Sequence, residues 1–185
     1  MQEWFIWPVS KTERAERLTQ VRILSPPPSQ TWLARLTRRM TKLILIMIYE
    51  FSAGGVVFKK ESKKTYILVS QHSGHHGWVF PKGFIGDHIE NESKEDTAIR
   101  EVKEETGALG KILKSLTPVT FWYQMDNEKH KKTVYYFLME YIGGNITKHD
   151  WEMENVEWLE MEKVEERLTY SSDKKVWEEA RELIS

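Results

Sequence analysis

Residues 86–108 read GDHIENESKEDTAIREVKEETGA, and the reading of this stretch decides the fold. Ser93 followed three residues later by Asp96 marks a helix start, and Gly107 suits a left-handed C-terminal position, so a helix is predicted over 93–106. At about 100° per residue, Glu101, Glu104 and Glu105 share an arc of about 100°. Ala98, Ile99 and Val102 form the adjacent apolar arc, which is expected to face a sheet and to leave the glutamates at the edge of a cleft. Glu101 repels Glu104 at i+3 and Glu105 at i+4 by roughly a few tenths of a kcal/mol each. The helix dipole also disfavours negative charge in this C-terminal half, and only Arg100 and Lys103 offset it locally. Hard divalent cations would supply the missing positive charge, and oxygen ligands completed by substrate phosphates suit magnesium. The plain alternative is a solvated acidic face, which is how Glu178, Glu179 and Glu182 are read.

The rest of the chain supports one domain with an appendage. Its 185 residues can bury a substantial core. Charged residues at 30%, eight Trp and a mean hydropathy of -0.55 describe a soluble globular protein. With no cysteine, disulfides and thiolate metal sites are excluded. Residues 1–46 carry eight Lys/Arg against three Asp/Glu, whereas residues 47–185 carry 19 against 25. The main body is therefore acidic and lacks the basic stripe of a duplex nucleic-acid binder. The longest apolar run, Leu43 to Tyr49, cannot span a bilayer, and the protein is read as cytoplasmic.

Around the helix, strands are expected over Tyr49–Lys59, Thr65–Ser70, Lys111–Met125, Lys132–Tyr141 and Glu157–Leu159. Gly54-Gly55 inside the first suggests a bulge or a close approach to a ligand. His72–Gly77 reads as a loop, Trp78–Phe80 as a short apolar segment, and Glu160–Leu168 and Asp173–Ile184 as acidic helices. This irregular alternation predicts an α/β fold with a mixed sheet between helices.

Gly86, Glu92, Arg100-Glu101, aliphatic Val102, Glu104-Glu105, Gly107 and small apolar Ala108 resemble the Nudix box at every fixed position. Seven fixed residues at about 7% frequency each recur by chance about once in 10⁸ start positions. There are two departures. Ala108 is smaller than the usual aliphatic residue, and Gly83 of Pro81-Lys82-Gly83, the usual box glycine, lies three residues upstream of Gly86. The resemblance covers 47–185 and implies a Nudix-type α/β/α sandwich that hydrolyses pyrophosphate bonds in nucleotides with magnesium or manganese. It implies Glu104 and Glu105 as principal metal ligands and Glu101 as ligand or general base. Glu92 and Arg100 would form a structural ion pair, and Glu152 is a candidate base or further ligand.

Phe51-Ser52-Ala53-Gly54-Gly55-Val56, Trp78-Val79-Phe80-Pro81-Lys82-Gly83, Phe121-Trp122-Tyr123 and the run Lys132–Met139 are similar to diadenosine tetraphosphate hydrolases. That likeness implies asymmetric cleavage to ATP and AMP, with Tyr123 stacking on a base and Lys82 binding phosphate. His76, or its neighbour His75, would assist. Trp78 is read as core. The alternatives are a Nudix hydrolase of inositol pyrophosphates, for which Lys129–Lys132 is the available basic cluster, one acting on oxidised nucleoside triphosphates, or a Nudix-fold binding module without catalysis.

Residues 1–46 differ in composition, charge sign and periodicity. Ser25-Pro26-Pro27-Pro28-Ser29 interrupts any element, and Arg35, Arg38, Arg39 and Lys42 form a basic patch. Val21-Arg22-Ile23-Leu24 is what the T-arm of a transfer-RNA gene would encode if translated. Met47 is therefore expected to be the natural start, with an upstream gene absorbed into the frame. The rival expectation is a basic partner-binding arm.

Overall fold

The computed structural model describes residues 47–184 except Asn127; the expectations for residues 1–46 lie outside the described residues. The elements run β1 (Met47–Glu61), β2 (Lys64–His72), β3 (Trp78–Val79), β4 (Lys82–Phe84), α1 (Lys94–Thr106), β5 (Ala108–Ser115), β6 (Val119–Met125), β7 (Glu128–Gly144) and β8 (Met153–Glu160). A 3-10 turn (Met161–Lys163), α2 (Val164–Arg167) and α3 (Ser171–Ile184) complete them.

β1 organises a mixed sheet. One of its edges pairs in parallel with β7 from Met47–Lys129 to Phe58–Glu140. Its other edge takes β4 near its start and β2 near its end, both antiparallel. β3 and β8 extend the sheet beyond β2, and β5 and β6 both pair with β7. The predicted strand 111–125 is thus two strands, because Leu116-Thr117-Pro118 breaks it and Pro118 has no N–H to donate. β4, only three residues long, is not among the expected strands, and β8 proves longer than the three residues expected.

Period-two alternation sends the two faces of each strand to different cores. Ala53, Val57, Leu68, Phe137 and Met139 pack on Ala98 and Val102 of α1. Val56, Ile67, Val69, Val134, Tyr136 and Leu138 pack on Val176, Trp177 and Ala180 of α3. A helix therefore covers each face, which is the expected α/β/α sandwich. Trp78 is half-buried against the second cluster, with the Arg167 guanidinium 4.6 Å over its ring. Ile99, expected in the buried arc of α1, is 39% exposed, and its place towards the sheet is taken by Glu101 and Glu105.

The paired glycines of β1 meet the chain's own backbone and core. A Cβ on Gly54 would stand 2.1 Å from the Pro81 carbonyl oxygen, and one on Gly55 would stand 2.7 Å from the Met139 sulfur. The close approach expected of a ligand there is made by the chain itself.

Both ends of α1 close as the sequence implied. Ser93 Oγ accepts from the Asp96 N–H at 3.1 Å, and its hydroxyl donates to Asp96 Oδ2 at 2.7 Å. Gly107 adopts φ 68° and donates to the Lys103 carbonyl at 2.8 Å. Its own carbonyl accepts from the Asn145 N–H at 2.9 Å, and a Cβ there would lie 2.2 Å from the Asn145 carbonyl oxygen. Gly107→Ala should therefore lower the unfolding free energy by about 1–3 kcal/mol, combining left-handed strain with this clash. Urea denaturation should show a lower midpoint at an unchanged slope.

Candidate active site

Arg100 is the centre of the acidic cluster on α1. Its Nε and Nη2 donate to the two oxygens of Glu92, each at 2.9 Å. Nη1 donates to Glu101 Oε1 at 2.6 Å and to Glu104 Oε2 at 2.9 Å, while Nη2 reaches Asp87 Oδ1 at 3.1 Å. The Glu92–Arg100 pair inferred for the loop is present and bidentate. Its side chains are only 4% and 13% exposed. Glu92 is also held by the Thr97 hydroxyl at 2.8 Å, and the Arg100 hydrogen bonds keep its carboxyl below the usual range. Asp87 joins this network from the lengthened loop, where no motif position marked it.

The three glutamates of the shared arc have different surroundings. Glu101 and Glu105 are buried, whereas the Glu104 side chain is 44% exposed. Burial pushes the Glu101 carboxyl up to about 7; Arg100 opposes this, and the charges of Asp87 and Glu104 add to it. Burial also raises Glu105 well above the ordinary carboxylate range, against the pull of the Lys82 charge.

β4 explains how two carboxylates fit beneath the helix. The Lys82 N–H donates to Glu105 Oε2 at 2.9 Å. A Cβ at Gly83 would lie 2.0 Å from the Glu101 carboxyl carbon, so only glycine lets β4 pass this close. Gly86 acts differently, turning the chain at φ 79° in open space. The two glycines, three residues apart, thus do different work: close packing at Gly83 and a left-handed turn at Gly86.

These donors suit a divalent cation. They are all oxygens, and Glu101 and Glu104 already sit against one cationic nitrogen of Arg100. In this conformation no three His, Asp or Glu side chains among the described residues are spaced to hold a metal ion.

On the opposite face of β4, Lys82 and Phe84 pair with Gly54 and Ser52, on the side of the sheet that α3 covers. Register puts Glu50, Lys132, His130 and Tyr123 on the same face. The Tyr123 hydroxyl donates to Glu50 Oε2 at 2.5 Å, His130 Nδ1 lies 2.9 Å from Glu50 Oε1, and the two rings stack at 4.7 Å. Lys132 Nζ lies 4.1 Å over the Phe84 ring. The basic run 129–132 therefore does not form one patch. His130 is buried on Glu50, and Lys131 faces the other way, between Tyr49 and Trp122.

His75 and His76 part company. His76 is exposed at φ 55° with Nδ1 2.9 Å from Glu154. His75 stacks on His72 at 4.3 Å and meets the Tyr170 hydroxyl at 2.9 Å. Burial lowers His72 to about 4, helped by the charges of Lys82 and Lys132. Burial, with His72 and Lys82, lowers His75 to about 3. Both are neutral imidazoles at neutral pH. Glu152 lines a recess of about 610 Å³ beside Glu104, together with Lys103, Lys148 and the 73% exposed Trp151. No sequence pattern marked Lys148 and Trp151 as neighbours of Glu152 and the helix, since the turn after β7 brings them there.

A family model described as NUDIX domain matches residues 49–181. A Mycobacterium tuberculosis protein named MutT4 is 35% identical over 144 residues, covering 74% of this chain and 56% of that protein. The 8-oxo-(d)GTP phosphatase of Mycolicibacterium smegmatis is 29% identical over 99 residues, 54% of this chain and 28% of that one. The chain spans little more than half the length of the first and under a third of the second. Among solved structures, a C. elegans Ap4A hydrolase in a binary complex matches with a TM-score of 0.61 at 24% identity, covering 73% of this chain and 97% of that one. The NUDIX domain of Shewanella oneidensis NrtR complexed with ADP ribose matches with a TM-score of 0.60 at 23% identity, covering 74% and 89%. At these identities the structural likeness speaks to the fold. No helix among the described residues is long and apolar enough to cross a membrane.

The raised Glu101 carboxyl sets a pH dependence. Its folded value of about 7 lies above the ordinary 4.5, so the fold favours its protonated form. That contribution to stability is full below the unfolded value and is lost as pH rises through the folded one. With a chelator present, the unfolding free energy should fall as pH is raised from about 5 to about 8, and Glu101→Gln should flatten the fall. Urea denaturation across that range measures both slopes.

Proposed function

The chain belongs to the NUDIX family, and from that premise we propose that it is a divalent-metal-dependent pyrophosphohydrolase of nucleoside polyphosphates. Glu104 and Glu105 are the principal residues to hold magnesium or manganese, with Glu101 as the third. The bound cation would polarise a phosphoryl oxygen and make a water molecule nucleophilic at neutral pH. Where Glu101 is not a ligand, it is the base that takes the proton of the attacking water. Glu152, in the recess beside Glu104, is the alternative acceptor. Arg100 keeps the carboxylates oriented, and Glu92 keeps Arg100 in place.

One observation carries the reading: β4 joins the two halves of the site. Its Lys82 N–H orients Glu105, while the Lys82 side chain faces the side of Tyr123 and Lys132. β4 is only three residues long, so a polyphosphate held by Lys82 would reach the carboxylates by passing around that strand. The Tyr123 ring is fixed by Glu50 and His130, which suits it to stack on a nucleobase. The substrate we favour is a dinucleoside tetraphosphate, cut asymmetrically to ATP and AMP.

The second reading is hydrolysis of nucleoside triphosphates with a damaged base. It is favoured by the identity to MutT4 and to the 8-oxo-(d)GTP phosphatase. An inositol pyrophosphate is less suited, because the basic run 129–132 is divided between two faces. A binding module without catalysis would have no use for Glu101, Glu104 and Glu105 together.

Glu104→Gln and Glu105→Gln should each lower turnover by several orders of magnitude while the urea midpoint is kept or raised, since a like charge is removed. Tyr123→Ala should weaken dinucleotide binding by about 1–3 kcal/mol, the range for base stacking. Product analysis by ion-pair chromatography on dinucleoside tetraphosphate, 8-oxo-dGTP and an inositol pyrophosphate decides the substrate. Wild-type turnover in both glutamine variants would rule out the metal assignment, and triphosphate cleavage without dinucleotide cleavage would select the second reading.

A further inference from the structure

The turn after β7 is attached to the catalytic helix by backbone. The Asn145 N–H donates to the Gly107 carbonyl at 2.9 Å, and the Asp150 N–H donates to the Glu104 carbonyl at 3.1 Å. Within the turn, Lys148 N–H meets the Asn145 carbonyl at 3.0 Å and Glu152 N–H meets Asp150 Oδ1 at 3.0 Å. From the other side, the Ser73 N–H donates to the Glu152 carbonyl at 2.8 Å. These bonds fasten the turn to α1 and to Ser73, and between the turn and α1 lies the recess of about 610 Å³.

Three features of the lining point to one ligand chemistry. Trp151 is 73% exposed although the protein has two apolar cores in which an indole could be buried. Such an indole at the mouth of a recess is a flat apolar surface with an open face. Lys103 and Lys148 line the same recess, and among the described residues neither has an ion-pair partner. Glu104, a proposed metal holder, forms part of the wall, so a ligand seated here lies next to the reacting phosphates. An aromatic surface, two lysines and an adjacent metal-holding carboxylate match a nucleotide: base, phosphate and scissile bond in sequence.

We propose that this recess is a second nucleotide subsite, in which Trp151 stacks on a nucleobase and Lys103 and Lys148 hold its phosphate. It rests on the dinucleotide reading above and deepens it. The Tyr123–Lys82 face takes one nucleoside end, the 145–152 turn takes the other, and the polyphosphate crosses the glutamates between them. Two aromatic surfaces on separate elements, each with its own lysines, suit a substrate with a base at both ends better than one with a single base.

The test is calorimetric titration of the full chain with a methylene-bridged, non-hydrolysable diadenosine tetraphosphate. Trp151→Ala should raise Kd by roughly 10-fold or more, as expected for loss of one stacked base, and Trp151→Phe should restore most of the affinity. Lys148→Glu should weaken binding by a similar factor. Both side chains are on the recess wall rather than in a core, so thermal unfolding should be unchanged. Wild-type affinity in Trp151→Ala and Lys148→Glu overturns the subsite while leaving the dinucleotide reading standing. A loss confined to Trp151→Ala upholds the stacking and overturns the phosphate role. Absence of dinucleotide binding by the wild-type chain removes the dinucleotide reading itself, and the subsite with it.

Discussion

The guanidinium of Arg100 is the interaction on which the site depends. It meets Glu92, Glu101, Glu104 and Asp87, and it is itself largely buried. Repulsion along the helix amounts to roughly tenths of a kcal/mol for each glutamate pair. Burying a charge without a partner costs several kcal/mol, so burial rather than like-charge repulsion dominates the energetics here. Glu92 is the member that Arg100 can satisfy fully, through two hydrogen bonds and low exposure. Glu101 shares one nitrogen with Glu104 and stays under-compensated, which is visible in its raised carboxyl. The cluster is thus compensated at Glu92 and under-compensated at Glu101.

That arrangement demands a particular backbone beneath it. Two buried carboxylates can face the sheet only if the strand below has almost no bulk, and β4 supplies this with Gly83 and the Lys82 N–H. β4 in turn is held by β1, where Gly54 lets the Pro81 carbonyl approach and Gly55 donates to it at 3.1 Å. The glycines of two strands therefore serve one close contact. Because side chains alternate along a strand, the residue before Gly83 must point away from the glutamates. Lys82 accordingly reaches the face of Tyr123, Lys132 and the neutral pair His72–His75.

Stability and function also meet at the end of α1. Gly107 closes the helix and accepts the backbone of Asn145, so the turn that carries Lys148, Trp151 and Glu152 is fastened to the element that carries Glu104. A helix terminus normally leaves carbonyls unpaired. Here the carbonyls of Glu104 and Gly107 find partners in that turn, which fastens the recess wall to the helix.

The helix, its caps and the mixed α/β class could be read directly from the sequence, and the Glu92–Arg100 pair through the resemblance to the Nudix box. The helix and its caps depend on local spacing: 3.6 residues per turn and a cap three residues from its partner. The failures were equally physical. β4 is too short to show periodicity, and Pro118 divided what composition presented as one strand. Ile99 turned out exposed because Glu101 and Glu105 occupy the sheet side of α1. The basic run 129–132 looked like one patch, but its β-strand sends alternate residues to opposite faces. What sequence by itself determined was that Glu101, Glu104 and Glu105 share one arc of α1, because a helix brings i, i+3 and i+4 together without help from elsewhere. Only the tertiary structure decided which of those glutamates are buried, and how Lys82, Tyr123 and Trp151 stand around them. Those relations run between strands and turns far apart in the chain, and sheet register and the attachment of the 145–152 turn, rather than local spacing, set them.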